Sequence, residues 1–436
     1  MRKNSRVLLI CIFIMVFFSS IVGGQFFGVS LNKVCMIPLI LYLIIHSKSF
    51  SLRKSLFPLA GFYLVAALAA IISLIAPYAD NIEGYISRSV FYAIQMVILF
   101  IPMLFLLSGS KRKEEILVYT IDSVILTSRI NIIIVFWELA SFFIVNTSFT
   151  DSLLGFLYSI DNASALIYLP GLGVFLRPTG LNIDPAYLGI ILVFGFLFEK
   201  NIVWKIMSFA AAACSMSRST ILIMATIAIL DYIKKNGIRK INPKYIAISF
   251  LCVTVFAYAI LKIPSLSSQI TGILSRLHLG NEMKSEDVGT MRHLLYIPKS
   301  IEVFLFQYNP IQQLIGFGPR LSGTIIAHAK VMNEYLNPDM FNTAWSIECD
   351  IAELLLGYGI VGFLLYYFCI FRLRKIKGYG THLFLVFFLY SIMYDISAST
   401  YAQFILMIFM TCALFISSRT RRDINDVRER NRQTLQ

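Results

Sequence analysis

Apolar residues gather in long runs spread over nearly the whole chain. Runs near 7–27, 56–77, 90–108, 116–145, 245–263, 350–371, 381–397 and 401–417 each reach the ~17–25 residues a helix needs to cross a bilayer. Four shorter runs, 34–46, 186–198, 202–216 and 219–233, complete a set of about twelve. Each is either extended by polar neighbours or packed inside a helical bundle. The basic start ahead of 7–27 resembles a signal peptide, but the run is long enough to span and lacks a convincing cleavage site.

The lysines and arginines set the order of these spans. With the N-terminus in the cytoplasm, the inward segments hold 26 of the 38 basic residues, including Arg2, Lys111, Arg112, Lys234, Arg372 and Arg421. That asymmetry runs in the direction of the positive-inside rule. The expected protein is therefore all-α and polytopic, with both termini cytoplasmic. Helices 1–5 fall in 1–145, helices 6–9 in 186–262 and helices 10–12 in 351–417, followed by a cytoplasmic tail, 418–436. If 186–198 and 202–216 formed a re-entrant pair, the count would be ten.

Two outward segments are much longer than the other loops, 146–185 and 263–350, and long loops in a compact bundle usually carry function. In the first, SLLGFLY and ALIYLPGLGVFL are too short to span and are expected to be interfacial or re-entrant pieces. In the second, TMRHLLYIPKSIEVFLFQ has a helical pattern interrupted by Pro298.

Composition narrows the class. Hydrophobic residues make up 58% and charged residues 14%, with a mean hydropathy of +0.75, against about 45–50% and about 25% in ordinary globular proteins. A soluble enzyme, a disulfide scaffold and a disordered chain are excluded. The net charge of +14 is accounted for by inward loops and calls for no nucleic-acid partner. The seven cysteines fall almost all within apolar runs without paired spacing. They read as packing residues, and neither a metal site nor another cofactor is expected.

The informative charges are the exceptions on the outer side: Arg177, Arg218, Arg276, Arg292, Arg320 and Lys330. Arg177 lies in RPTGLNIDPAYLG, whose Pro and Gly residues force irregular backbone at the start of a span, and Arg218 lies in the tight CSMSRSTIL turn. Arginine offers a rigid fork of donors matched to phosphate and keeps its charge when desolvated. Several of them without matching acids suit a phosphate-bearing ligand, although each could also be a headgroup or helix-end contact. Glu348, Asp350 and Glu353 stand where the second loop enters a span, Asp350 and Glu353 one helical turn apart. A sugar hydroxyl is activated by a carboxylate or imidazole within hydrogen-bond reach, which makes Glu348, Asp350 and His328 candidate bases or, alternatively, caps and partners of loop arginines. His278 and His293 read as ordinary loop residues, and Glu138 and Arg129 as groups satisfied within the bundle.

The order of RPTGLNIDPAYLG, SMSRSTIL, TMRH, NPIQQLIGFGPR and the final E-x-D-x-x-E-LLLGYGIVGFLL resembles the bacterial O-antigen polymerases, which share a superfamily with the O-antigen ligases. The resemblance covers about 175–365. It implies a GT-C-like glycosyltransferase of the bacterial inner membrane with two functional periplasmic loops. Such an enzyme uses no metal or cofactor and moves a growing glycan from undecaprenyl diphosphate onto a new lipid-linked repeat unit. Donor and acceptor are then undecaprenyl-diphosphate-linked oligosaccharides, and a chain-length regulator and a flippase of the same pathway are expected partners. Carried over to this chain, Arg177, Arg218 and Arg292 hold the diphosphate, with Arg292 acting at the reacting centre and Arg320 in GFGPR matching less closely. Ligases tend to carry a histidine just before the last loop-to-span junction. Here that stretch reads NTAWSIECDIAE, with His328 about twenty residues earlier, which favours polymerase over ligase and leaves the base open. The alternatives are a ligase that transfers glycan to lipid A core, and a flippase or transporter for the lipid-linked unit.

Overall fold

The structure is a computed structural model, and it describes residues 3–21, 25–26, 29–46, 50–75, 83–145, 166–169, 173–182, 184–236, 288–328, 349–376, 378–397 and 399–415. The expected run 245–263, the SLLGFLY segment and the tail 418–436 lie outside these residues.

The described chain is predominantly helical. Its first half contains α1 (Lys3–Ser19), a two-residue hairpin β1 (Gln25–Phe26) and β2 (Val29–Ser30), α2 (Leu31–Val34), α3 (Ile37–His46), α4 (Phe57–Ile75), α5 (Glu83–Gln95), α6 (Ile101–Gly109) and α7 (Lys113–Val145). A π-helical turn, Met96–Phe100, joins α5 to α6 into one rod. After a second hairpin, β3 (Leu166–Leu169) and β4 (Gly173–Leu176), come α8 (Pro185–Phe198), α9 (Ile202–Cys214) and α10 (Arg218–Asn236). The remainder is α11 (Val288–Phe306), α12 (Pro310–Ile315), α13 (Ser322–His328), α14 (Asp350–Leu373), α15 (Gly380–Met393) and α16 (Thr400–Thr411).

Among the described residues, four helices are long and apolar enough to cross a membrane: Lys54–Ile75, Ser89–Gly109, Lys113–Ile144 and Asp350–Leu373. Their outward faces fit that medium. On α4, Leu64, Leu68, Ile71 and Ile75 form an exposed stripe at helical spacing, while Phe62, Tyr63, Ala66 and Ala70 face inward. An apolar stripe of this kind is unfavourable in water and natural against lipid.

Of the shorter runs, 186–198 is explained by packing, and the 401–417 run, reduced to a short helix, behaves the same way; α3, α9 and α10 keep exposed apolar faces. Helices α8 and α16 are buried nearly all round, so their 14 and 12 residues sit among other helices. A helix short of membrane length is tolerated at that depth because protein covers its ends. By contrast, the 33 residues of α7 extend about 50 Å at 1.5 Å per residue, longer than the ~30 Å hydrocarbon core. Its first turn, with Lys113, Glu114 and Glu115, stands clear of the apolar stretch.

Two segments take forms that the apolar runs alone do not specify. The ALIYLPGLGVFL segment supplies the antiparallel pair β3–β4, Leu166 opposite Leu176 and Leu169 opposite Gly173. Pro170 and Gly171 interrupt any helix there, and an isolated apolar stretch of this length satisfies its backbone as a hairpin. The run 381–397 does not remain helical to its end. Helix α15 stops at Met393, and Tyr394 to Ser397 are irregular, with Ser399 capping α16.

The part of the second loop that is described is not a flap. Tyr296, Val303, Tyr308, Phe317, Leu321 and Ile325 form an apolar core of their own with Cys349, Ala352 and Leu356. Helices α11–α13 are thereby fixed against the first turns of α14.

Candidate functional site

The site is built from a helix that breaks. Within α14, Gly359 has φ 62 and ψ −172, so Leu356 and Gly357 lose the amides that a continuous helix would bring to their carbonyls. The NPIQQLIGFGPR segment replaces them. Asn309 caps α12 reciprocally with Gln312, and the chain leaves α12 through Gly316, which has φ 88. Phe317 N then donates to Leu356 O at 3.0 Å and Gly318 N to Gly357 O at 2.9 Å. Tyr308 Oη adds a bond to Leu356 O at 2.9 Å. Gly316 lies so close to the break that an added Cβ would meet Gly357 and Gly359 backbone at 2.5 Å.

This junction delivers Arg320. Its backbone is left-handed, φ 67, a conformation that costs a non-glycine residue on the order of 1–3 kcal/mol and tends to mark functional positions. Both ends of the residue are held. Its N–H donates to Glu353 Oε1 at 2.6 Å, and its Nη1 donates to Asp395 Oδ2 at 2.5 Å. The guanidinium keeps 30% of its side-chain surface exposed, against 4% for Asp395. Burial alone would push this guanidinium down, but Asp395 beside it, with Tyr187, Tyr92 and Glu353 further off, holds it above its usual range.

Around that pair the acids interlock. Asp350 and Glu353, both fully buried, lie one turn apart at the start of α14, as their spacing predicts. Glu353 Oε2 accepts from Ser322 Oγ. Asp350 Oδ1 accepts from Ser397 N at 2.8 Å, Ser397 Oγ donates to Asp395 Oδ1 at 3.1 Å, and Tyr92 Oη donates to Ser397 O at 3.2 Å. The carboxyls of Asp350 and Asp395 adjoin. Three carboxyls and one guanidinium, drawn from α14, the GFGPR loop and the α15–α16 link, thus form one connected cluster, with the guanidinium partly exposed.

A second arginine segment lies at the same end of the bundle. Arg177 is half-buried, and its Nε donates to Ser215 O at 3.2 Å, in the turn that leads to Arg218 at the start of α10. That turn contains Met216 with φ 54, which with Arg320 makes the two non-glycine residues of positive φ among those described. The RPTGLN stretch is tied down from α7: Gly180 N donates to Glu138 Oε2 at 2.9 Å and Leu181 N to Asn131 Oδ1 at 3.0 Å. The charge Glu138 carries inside the bundle is thereby used, and Arg129 pairs with Glu199 at 2.8 Å. The two segments connect through Tyr187 on α8, whose ring meets Tyr394 edge-on at 5.5 Å. A chain of hydroxyls, Ser217 to Thr220 at 2.7 Å and Thr220 to Tyr390 at 3.1 Å, makes a second link.

Of the residues expected from sequence, the structure gathers Asp350 and Arg320 into one cluster and sets Arg177 against the Arg218 turn. The Arg292 backbone lies in α11, one turn before Tyr296 of the loop core, and the His328 backbone ends α13. The side chains of Arg218, Arg292 and His328 lie outside the described residues, as do Glu348, Arg276 and Lys330. Asp395 was not expected. Its signal is the polar stretch YDISAST between two apolar runs, which the run boundary 381–397 conceals.

Searches against protein-family models and against curated proteins find no match to this chain.

Proposed function

We propose that this chain is a GT-C-like glycosyltransferase of the O-antigen polymerase kind, with about twelve spans in a bacterial inner membrane and its arginine end facing the periplasm. The observation that carries the reading is Arg320, a cation fixed at its backbone by Glu353 and at its guanidinium by Asp395, yet still partly open. An arginine held this way reorganises little when an anion arrives, the condition under which charge stabilisation contributes most to a transition state. In the proposed reaction Arg320, with Arg177, Arg218 and Arg292, neutralises the undecaprenyl diphosphate as it leaves the donor glycan. A hydroxyl of the acceptor repeat unit attacks the anomeric carbon from the opposite face, giving inversion, and its proton passes to a carboxylate or imidazole. Asp350, Glu348 and His328 are joined as bases by Glu353, which lies beside Arg320.

The test is the surface-glycan ladder of a host deleted for the gene. Wild type restores the ladder, whereas Arg320→Lys, which keeps the charge but loses the planar fork, leaves single-repeat glycan. Loss of even the single-repeat form in the deleted host overturns polymerisation. One observation favours the transporter reading: α14 is discontinuous, a device transporters use near their binding sites. In that case single-repeat glycan itself does not reach the surface.

A further inference from the structure

At the opposite end of the bundle, α1, α3 and the α6–α7 link enclose a cavity of about 210 Å³. Its floor is apolar, formed by Leu8, Leu43 and Ile116, all buried, and its rim carries His46 and Lys111, both exposed.

The wall between floor and rim is a fully committed arginine. Arg112 donates through Nε and Nη2 to Glu115, through Nη2 to Ser5 Oγ, and through Nη1 to Asn4 O and Tyr42 Oη. All five of its donors are spent on the protein, so it shapes the cavity and leaves binding to its neighbours. Lys111, next in sequence, takes part in none of the described ion pairs. His46 Nδ1 lies 2.9 Å from Tyr42 O. A carbonyl only accepts, so Nδ1 carries the hydrogen; a proton added at Nε2, which a neighbouring phosphate favours, makes that nitrogen the donor to the ligand. The imidazole is held in that attitude by stacking on Tyr42 at 4.2 Å and 15°. A flexible ammonium and an oriented imidazole above an apolar floor suit a phosphate group attached to something greasy.

The lipid face adjoins the opening. On α3, Leu41, Ile44 and Ile45 are 53%, 56% and 76% exposed, immediately before His46. An acyl chain running along that stripe brings its headgroup to the rim. Basic pockets between helices are a recognised way of holding anionic headgroups.

We propose that this cavity binds the phosphodiester headgroup of an anionic phospholipid. The site is independent of the glycan chemistry at the other end, and both exposed rim residues can be changed without disturbing the core.

Native mass spectrometry of the full chain in detergent, titrated with phosphatidylglycerol, phosphatidylcholine or inorganic phosphate, tests it. The expected result is a retained phosphatidylglycerol adduct in preference to phosphatidylcholine, weakened about fivefold in Lys111→Gln, the value of one lysine near an anionic headgroup. His46→Gln weakens it further. Equal retention of the two lipids, or adducts unchanged in Lys111→Gln, overturns the proposal. Competition by inorganic phosphate without lipid preference reassigns the site to free phosphate and overturns the lipid assignment.

Discussion

At the scale of the residue, Arg320 and Asp395 account for each other. The carboxylate offsets the desolvation of the guanidinium, and the guanidinium balances one of three crowded carboxyls. Removing one partner of such a pair leaves the other uncompensated. Asp395→Ala is therefore expected to destabilise the protein by about 3 kcal/mol, the low end for breaking a buried pair because Arg320 is partly exposed, read as a lower melting temperature in detergent, and to abolish the glycan ladder. Asp395→Asn preserves the shape and one hydrogen bond and is expected to melt closer to wild type while still lacking the ladder. An unchanged ladder in Asp395→Asn would remove the charge pair from the mechanism. The sequence exposes only part of this arrangement. The turn spacing of Asp350 and Glu353 is legible, because helical periodicity puts them together wherever the helix goes. The partnership of residues 320 and 395, separated by α13, α14 and α15, depends on how those helices dock, and no local pattern encodes it.

At the scale of the element, the decisive feature is the interruption of α14. Glycines within apolar helices are common, so LLLGYGIVG reads as an ordinary span, and neither the left-handed Gly359 nor its partner loop can be inferred from it. What makes the break stable is that Phe317 and Gly318 take up the freed carbonyls. Gly359→Ala places a side chain at φ 62, ψ −172, a region open essentially to glycine alone, at about 1–3 kcal/mol, and drives its Cβ against the backbone of Ile315 and Gly316. The expected outcome is loss of folded protein on size-exclusion chromatography. Gly378→Ala is a useful control, since Gly378 also has positive φ but a Cβ there meets nothing within 4 Å; it is expected to lose only the conformational part. If the two variants behave alike, the close approach of the loop to α14 is not what holds the junction.

At the scale of the whole molecule, arginines stand at both ends of α14. Arg112 and Arg372 lie where α7 begins and α14 ends, bonded to Asn4 O and Ser55 O, while Arg320 lies beside Glu353 in the first turn of α14. Loop charge, which needs no knowledge of packing, gives the expectation that the Arg112 end faces the cytoplasm. A membrane-impermeant maleimide applied to intact cells should label a cysteine placed at the exposed Gln307 and spare one placed at the exposed Lys111, and the reverse pattern would invert the orientation. The native thiols Cys11, Cys35, Cys349, Cys369 and Cys412 are buried, while Cys214 is half-buried, so the labelling is done with Cys214 and Cys252 replaced by serine. The broken helix also constrains how the molecule is made. The 309–320 segment leaves the ribosome before α14 exists, so its amides at Phe317 and Gly318 have no carbonyls to meet, and α14 on its own has no reason to break. Insertion of the two pieces is therefore not modular. The later segment completes the earlier one, and a chain cut between them should yield two fragments that assemble only when made together.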